Sequence, residues 1–263
     1  MAFKPAPKKP EAPAAPKGEL VKANPAHVAT ALPDFLAGTA GIGNENVTSQ
    51  DISLPRLHVL QALSPELDKA SAKYIQGAEV GDVVNTLTSE IVCKSDSSFR
   101  VLDVLFQKVY GVFRDRKFGG GFRGQHELEV DAKRQVAADP EGDKLEIVET
   151  AIHVCLLLND DNQPVGEVGI FFTKSGLKCS RNLNGLLKAI PAARFASIVE
   201  FSVQRESNEK GVWYGLRPRT AGFVQDKATF ERAMSFFKSM KDAKVSVANT
   251  EDTTATPGDE EEF

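Results

Sequence analysis

The stretch 145–173 reads LEIVETAIHVCLLLNDDNQPVGEVGIFFT and carries the clearest folding signal in the chain. Its two halves, 145–158 and 165–173, are rich in β-branched and other apolar residues. The polar run 159–162 between them supplies the Asn and Asp residues that turns favour. Apolar runs joined by so short a polar segment are typical of a β-hairpin. We therefore expect two long antiparallel strands here, with the other elements assembled around them.

Further strands are indicated on both sides of this hairpin. The run 99–113 is rich in β-branched and aromatic residues and predicts a long, bent strand, after which the glycine run 119–121 breaks regular structure. Similar runs predict strands at 52–60, 80–88 and 91–93, and a second hairpin from 196–205 and 212–217. This set indicates a mainly antiparallel sheet.

Three segments predict helices. The first, 127–138, has helical composition and ends before an Asp-Pro pair. We expect Ser180 to cap a second helix that closes at Pro191, and Asp226 to cap a third whose apolar residues recur at helical spacing. With helices late in the chain and an antiparallel sheet, the fold class is α+β.

The two ends differ from the body in composition and charge. Residues 1–50 begin with a Lys-, Pro- and Ala-rich segment and predict a disordered arm or linker, whereas 245–263 predict a disordered acidic tail. The body, 51–244, is the expected folded and ligand-binding domain. The first 22 residues hold five lysines against two glutamates, and from Ser246 onward six carboxylates face no Lys or Arg. The net charge of −4 therefore does not argue against a nucleic-acid ligand.

Several classes of protein are excluded by what the sequence lacks. No apolar run approaches the ~20 residues of a membrane span, and the basic N-terminus has no signal-peptide core, so we expect a cytoplasmic protein. Three cysteines and four histidines lack metal-site spacing, and no phosphate-loop, dinucleotide-binding or nucleophile-elbow motif occurs. The acidic clusters at 139–143 and 160–161 fit turns. We expect no metal, no cofactor and no catalytic residue, so the protein is not expected to be an enzyme.

The stretch 106–123, FQKVYGVFRDRKFGGGFR, interleaves cations with aromatic rings. Single-stranded nucleic acid is bound by this combination, because cations replace counterions on phosphates and rings stack on exposed bases. The alternative is a strand with core aromatics and a solvated basic turn. The candidate binding residues are Lys108, Tyr110, Phe113, Arg114, Arg116, Lys117, Phe118, Phe122 and Arg123.

Two later stretches add to this signal. Residues 172–194 contain no carboxylate and offer Lys174, Lys178 and Arg181 as a phosphate track, assisted by a helix N-terminus at Ser180. A solvated basic helix face is the alternative. The third group consists of Trp213, Tyr214, Arg217 and Arg219. Because neighbouring strand residues point to opposite faces, we expect at most one of the two rings to stack on a base.

The C-terminal sequence TPGDEEEF places Asp259, Glu260, Glu261 and Glu262 before a terminal Phe263. A solvating tail needs no aromatic ring. The arrangement suits docking into a partner, with the ring in an apolar hole and the acids at a basic rim. The alternative is a run of charge that only keeps the protein soluble.

With this tail, the chain resembles the single-stranded DNA-binding proteins of bacteria and especially of bacteriophages, which share a β-rich binding body and an acidic tail ending in Phe. Bacterial members have Pro before that Phe, whereas Glu262 stands here, as in phage-type tails. The resemblance implies that the tail recruits partner enzymes and competes for the DNA groove. It also allows an OB-type barrel, although the order of strands and late helices does not yield that topology.

We thus expect a sequence-tolerant single-stranded DNA-binding protein of phage replication, recombination or transcription. Its expected partners are single-stranded DNA and, through the tail, replication, recombination or transcription enzymes; a homo-oligomer is compatible with the sequence. Three alternatives stay open: a strand-annealing recombinase, a DNA-binding cofactor of a phage RNA polymerase, and a structural or scaffolding phage protein. If phage-encoded, it would act in the host cytoplasm.

Overall fold

One sheet organises the chain in the computed structural model, which describes residues 42–43, 54–209 and 211–247. All the described strands and helices belong to the unit Val47–Phe263. The strands are β1 (Arg56–Val59), β2 (Val83–Asn85), β3 (Ile91–Cys93), β4 (Ser98–Arg114), β5 (Phe122–His126), β6 (Leu145–Leu158), β7 (Pro164–Thr173), β8 (Ser197–Asn208) and β9 (Gly211–Phe223). The helices are α1 (Glu129–Ala138), α2 (Leu177–Lys188) and α3 (Lys227–Met240).

The predicted hairpin at 145–173 is confirmed as β6 and β7, which pair antiparallel along most of their length. Asn159 turns the chain between them, since its Oδ1 accepts hydrogen bonds from the N–H groups of Asp161 and Gln163 at 3.1 and 2.8 Å. The acidic residues at 160–161 thus belong to a turn, as their composition indicated.

The strands follow the order β3-β2-β1-β7-β6-β4-β8-β9, with β5 paired to β4 outside this path. Every pair is antiparallel except β1 with β7. The sheet is curled into a half-barrel. Eight described strands in a path with two ends, with β5 beside it, differ from the five-stranded OB barrel that the resemblance allowed.

Strand side chains alternate between the two faces of the sheet, so both faces carry apolar residues. Helices cover both of them. On one face Val101 and Phe201 pack with Leu183 of α2. On the other, Leu102 and Ile152 pack with Phe236 of α3. Helix α1 lies over β4 through the fully buried Ala132. The predicted α+β class, with an antiparallel core and late helices, is confirmed.

Two local predictions met different outcomes. Asp226 caps α3 as expected, because its carboxylate accepts hydrogen bonds from the N–H groups of Ala228 and Thr229. The prediction that Ser180 caps α2 is wrong. The helix begins at Leu177, so Ser180 lies inside its first turns and is 2% exposed.

The packed chain continues past the predicted boundary at residue 245. Val245 and Val247 are buried against the α3 side of the sheet. The predicted arm before residue 50 falls outside the described residues apart from 42–43, and the acidic end of the tail falls outside them entirely. None of the helices that are described is long and apolar enough to cross a membrane.

Candidate nucleic-acid interface

A cleft of about 410 Å³ opens where five elements meet. Its walls come from β1, the C-terminal end of β7, the first turns of α2 and the middle of β9, with Glu206 contributed by β8. Its volume lies within the range of about 300–1,000 Å³ that small-molecule sites occupy. The residues that matter for its chemistry are Arg56, Gln61, Phe171, Lys178, Cys179, Glu206, Trp213, Tyr214 and Arg217.

The cleft begins where two parallel strands separate. β1 and β7 pair at two positions, the second of which joins Leu57 to Ile170. The residues beyond this pair on both strands, as far as Val59 and Thr173, line the cleft. The opening is therefore a gap in the sheet, with backbone as well as side chains along its walls.

Gln61 links β1 to β9 across this gap. Its Nε2 donates to the carbonyl oxygen of Tyr214 at 2.9 Å, and its Oε1 accepts from the Tyr214 N–H at 3.0 Å. One side-chain amide thus satisfies both backbone groups that an adjacent strand would otherwise pair. This contact fixes the separation of the two walls.

Arg56 supplies a cation at the β1 wall. Burial lowers the pKa of its guanidinium to about 10, against a smaller opposing effect of Glu66, so the group stays charged at neutral pH. It lies 5.0 Å above the ring of Phe171. Its Nε and Nη1 atoms are buried and have no hydrogen-bond partner in the described part of the chain. Burial, and then the charge of Arg56, lower the pKa of the neighbouring His58 to about 3, so that ring is neutral.

Two exposed cations lie on the walls that α2 and β9 form, across the cleft from β1. Lys178 projects from the first turns of α2 and makes no ion pair within residues 54–247 as described. Arg217 of β9 has a 62% exposed side chain, and its Nη2 lies 3.9 Å from Glu206 Oε1. Glu206 is the one carboxylate among the described lining residues, so the cleft carries net positive charge.

Both predicted rings of β9 line the cleft. Trp213 is half-buried, and its Nε1 donates to Glu206 Oε2 at 3.2 Å. The ring of Tyr214 packs on Gly81, where an added Cβ would lie 2.6 Å from the Tyr214 Cδ1. Because Tyr214 is held against backbone, Trp213 is the better candidate to stack on a base.

The structure brings together residues from two of the three predicted groups. Lys178, Trp213, Tyr214 and Arg217 share the cleft. Arg181 is exposed on α2, and Lys174 precedes that helix; neither lines the cleft. Arg219 is engaged elsewhere, since its Nε donates to the buried Glu200 at 2.8 Å.

The first predicted group lies on β4 and the β4–β5 hairpin and contributes nothing to the cleft wall. Tyr110 and Phe113 are 8% and 6% exposed and pack in the core, where their rings are covered, which argues against the predicted contact of these two rings with nucleic acid. Phe122 is half-buried against Phe113.

The cations of that group are partly neutralised. Lys108 lies 3.6 Å from Glu149, and Arg114 lies 3.1 Å from Glu141. The exposed residues of this group lie at the β4–β5 hairpin and are Arg116, Lys117, Phe118 and Arg123. These four stay predictions as a second contact surface. The predicted docking residues Asp259, Glu260, Glu261, Glu262 and Phe263 lie outside the described residues.

A polar network under α2 was missed by the sequence analysis. His153 Nδ1 lies 2.6 Å from Asp103 Oδ2, and His153 Nε2 lies 2.7 Å from Ser180 Oγ. Arg194 donates to both carboxylate oxygens of Asp103 at 2.8 Å. The connectivity is that of a Ser-His-Asp triad. Asp103 and His153 are 0% exposed, and none of the three lines the cleft; the network joins Ser180 of α2 to the sheet beneath it.

Five of the residues that matter for the cleft also escaped prediction: Arg56, Gln61, Phe171, Cys179 and Glu206. The sequence holds a weak signal for the first, since a cation interrupts the apolar run 52–60. No sequence pattern pairs Gln61 with Tyr214, because the contact joins positions far apart in the chain.

Comparison with known proteins gives one family. A family model described as Pam3 phage gp34-like protein matches residues 25–246. Neither the curated proteins nor the solved structures include a match. The matched segment runs from before β1 to beyond α3 and thus contains all the cleft residues. The chain therefore belongs to the Pam3 phage gp34-like family of bacteriophage proteins.

Proposed function

We propose that this phage protein binds single-stranded DNA without marked sequence specificity, and that the cleft between β1, α2 and β9 is a principal contact. One observation carries the proposal. Lys178 of α2 and the β9 residues Trp213 and Arg217 come from two separate stretches of sequence and converge on one net-positive cleft. Cations beside an available ring are the combination that single-stranded DNA requires.

The arrangement suggests how a strand would lie. A base would enter the cleft and stack on Trp213, while the flanking phosphates would lie towards Lys178 and Arg217. The amide groups at the start of α2 add partial positive charge near Lys178. A duplex should bind more weakly, because its bases are already stacked and cannot reach the ring.

Fluorescence anisotropy with a labelled, mixed-sequence single strand tests the proposal. Trp213→Ala should weaken binding by about 1–3 kcal/mol, the usual contribution of a stacked base. Phe118→Ala tests the hairpin surface, and Phe223→Ala is the matched control, because Phe223 is an exposed ring at the C-terminal end of β9 that lies outside the cleft and was not predicted to bind. Thermal melting of each variant separates loss of fold from loss of contact.

Charge-reversal variants provide a second, independent test of the proposal. Lys178→Glu should weaken binding strongly, whereas Lys188→Glu, at the far end of the same helix, should change it little. If Phe118→Ala weakens binding and the two cleft variants do not, the hairpin surface is the contact instead. Failure of the wild-type protein to bind the strand at low salt would refute the proposal altogether.

We further propose that the tail docks replication, recombination or transcription enzymes through Phe263, with the preceding acids on a basic rim. The support is the sequence, where four carboxylates precede a terminal ring. Pull-down from infected-cell extract, with and without Phe263, tests this role independently of DNA binding.

A further inference from the structure

We infer that Glu206 makes the cleft discriminate among bases, favouring those with an exocyclic amino group at the pairing edge, such as cytosine, over those with a carbonyl there, such as uracil and thymine. This inference rests on the proposed function, because it assumes that a base enters the cleft. It concerns a graded preference between homopolymers and not recognition of a defined sequence.

The first step is the position of the carboxylate. Glu206 Oε2 accepts the hydrogen bond from Trp213 Nε1, which ties the acid to the ring proposed to stack on the base. Oε1 accepts no hydrogen bond from the described residues, and its nearest cation is Arg217 at 3.9 Å. An acceptor with unused capacity therefore lies beside the stacking ring.

The second step is access to that oxygen. Residue 215, on the adjacent strand, is glycine, and an added Cβ there would lie 3.6 Å from Glu206 Oε1. A larger side chain would contact and cover this atom. The Glu206 side chain keeps 38% of its surface exposed. A ligand in the cleft can thus reach Oε1.

The third step is the sign of the charge. A carboxylate repels phosphate, so an acid in an otherwise cationic cleft is poorly explained by contact with the DNA backbone. A base edge is different, because a carboxylate accepts a hydrogen bond from the cytosine N4 amino group. At the same position, the O4 carbonyl of thymine or uracil places two acceptors against each other.

The negative charge of Glu206 also acts on the α2 wall, since burial and then Glu206 raise the pKa of Cys179 to about 12.

The test compares oligo-dC with oligo-dU of equal length at mildly alkaline pH, where cytosine is neutral. The two pyrimidines are similar in size, and neither carries the C5-methyl group, so the comparison isolates the pairing edge. We expect dC to bind about fivefold more tightly than dU, the lower end of the discrimination that a good base contact provides.

Two variants assign the preference to one residue. Glu206→Gln keeps an acceptor for Trp213 and adds a donor that can meet O4, so the dC-to-dU ratio should fall to about one while absolute affinity is free to rise. Glu209→Gln makes the same change at an exposed position of the same hairpin, outside the cleft, and should leave the ratio unchanged.

The outcomes separate this inference from the proposed function. Equal affinity of the wild-type protein for dC and dU overturns the inference and leaves single-stranded DNA binding in place. A preference that survives in Glu206→Gln also overturns it, since another group would then be responsible. No binding to either oligonucleotide refutes the proposed function together with the inference.

Discussion

The side chain of Gln61 hydrogen-bonds to the backbone of Tyr214 in β9, at an edge of the sheet where another strand would otherwise pair. The amide is almost fully buried, at 9% exposure, and makes paired bonds to the Tyr214 backbone. β9 ends the strand path, and an unpaired edge of that kind would otherwise expose backbone donors and acceptors. The contact therefore has two consequences, one for stability and one for the shape of the cleft.

Replacing Gln61 with Ala should destabilise the protein by about 1.5–4.5 kcal/mol, because three hydrogen bonds of about 0.5–1.5 kcal/mol each are lost, two to the Tyr214 backbone and one to the Val59 carbonyl oxygen. Urea denaturation measures the change. Gln225→Ala is the control, since this exposed glutamine bonds only to the nearby carbonyl of Phe223 among described groups. If Gln61→Ala and Gln225→Ala have the same unfolding midpoint, the contact does not hold the two walls together.

Gly81 should tolerate no side chain, for two reasons that can be measured separately. Its φ of +92° is strained for Ala, and the new Cβ would meet the Tyr214 ring. Gly77 has a φ of +78° and nothing within 4 Å of the added Cβ, so Gly77→Ala reports strain alone, about 1–2 kcal/mol. Gly81→Ala should cost about 1–3 kcal/mol more, the usual penalty of overpacking. Equal losses in urea denaturation would show that the ring moves aside freely.

The buried network should make stability depend on pH. Burial alone raises the pKa of Asp103, but His153 and Arg194 outweigh it, and the pKa lies below its ordinary value. The stabilisation is thus complete above the unfolded pKa of about 3.9 and is lost as pH falls through the lower folded pKa. Asp103→Asn should cost about 3 kcal/mol at pH 7, the effect of breaking a buried ion pair.

That deficit should shrink as the pH drops below about 4, because the Asp103 carboxyl of the unfolded wild-type chain then takes up a proton while that of the folded protein still resists protonation. Urea midpoints across this range test it. Asp131→Asn, which removes the exposed partner of Arg134 on α1, should change stability little at any pH. A deficit for Asp103→Asn that stays constant down to pH 2 would contradict the assignment.

The sequence predicts the elements far better than it predicts the site. Strands and helices follow local patterns: the apolar runs of 145–173 define β6 and β7, and Asp226 marks the start of α3. β5 was missed because FRGQH has no β-branched residue and pairs through its backbone. Ser180 was assigned to a cap because a buried serine and a capping serine look alike in sequence.

The cleft, by contrast, depends on contacts between distant residues. Composition identified Lys178, Trp213 and Arg217 as candidates, but equally Tyr110 and Phe113, which the fold buries. Tyr110 packs in the cluster that holds Ala132 of α1, and Phe113 in the cluster that holds Phe236 of α3, contacts that no local pattern reveals. Gln61 and Glu206 carry no sequence signal, since their roles arise from partners on other strands.

Binding of single-stranded DNA should depend strongly on salt. If about five cations engage phosphates, the slope of log K against log salt should be roughly −3 to −4 for a single strand. Lys178→Ala should reduce the slope by about 0.7, the share of one phosphate contact. Anisotropy titrations at several salt concentrations measure both values. A slope near zero would mean that the cations of the cleft do not neutralise phosphate.

Removing the tail should affect DNA and partner binding in different ways. Truncation after Thr250 deletes six carboxylates and should tighten DNA binding, most clearly at low salt, because the acids compete for the basic surface. Deleting Phe263 alone keeps those charges, so DNA affinity should change little. Partner binding should fall sharply, because the anchoring ring is gone. Anisotropy measures the first effect and pull-down the second. If the protein without Phe263 still retains every partner, the terminal ring is not a docking residue and the tail acts through its charge alone.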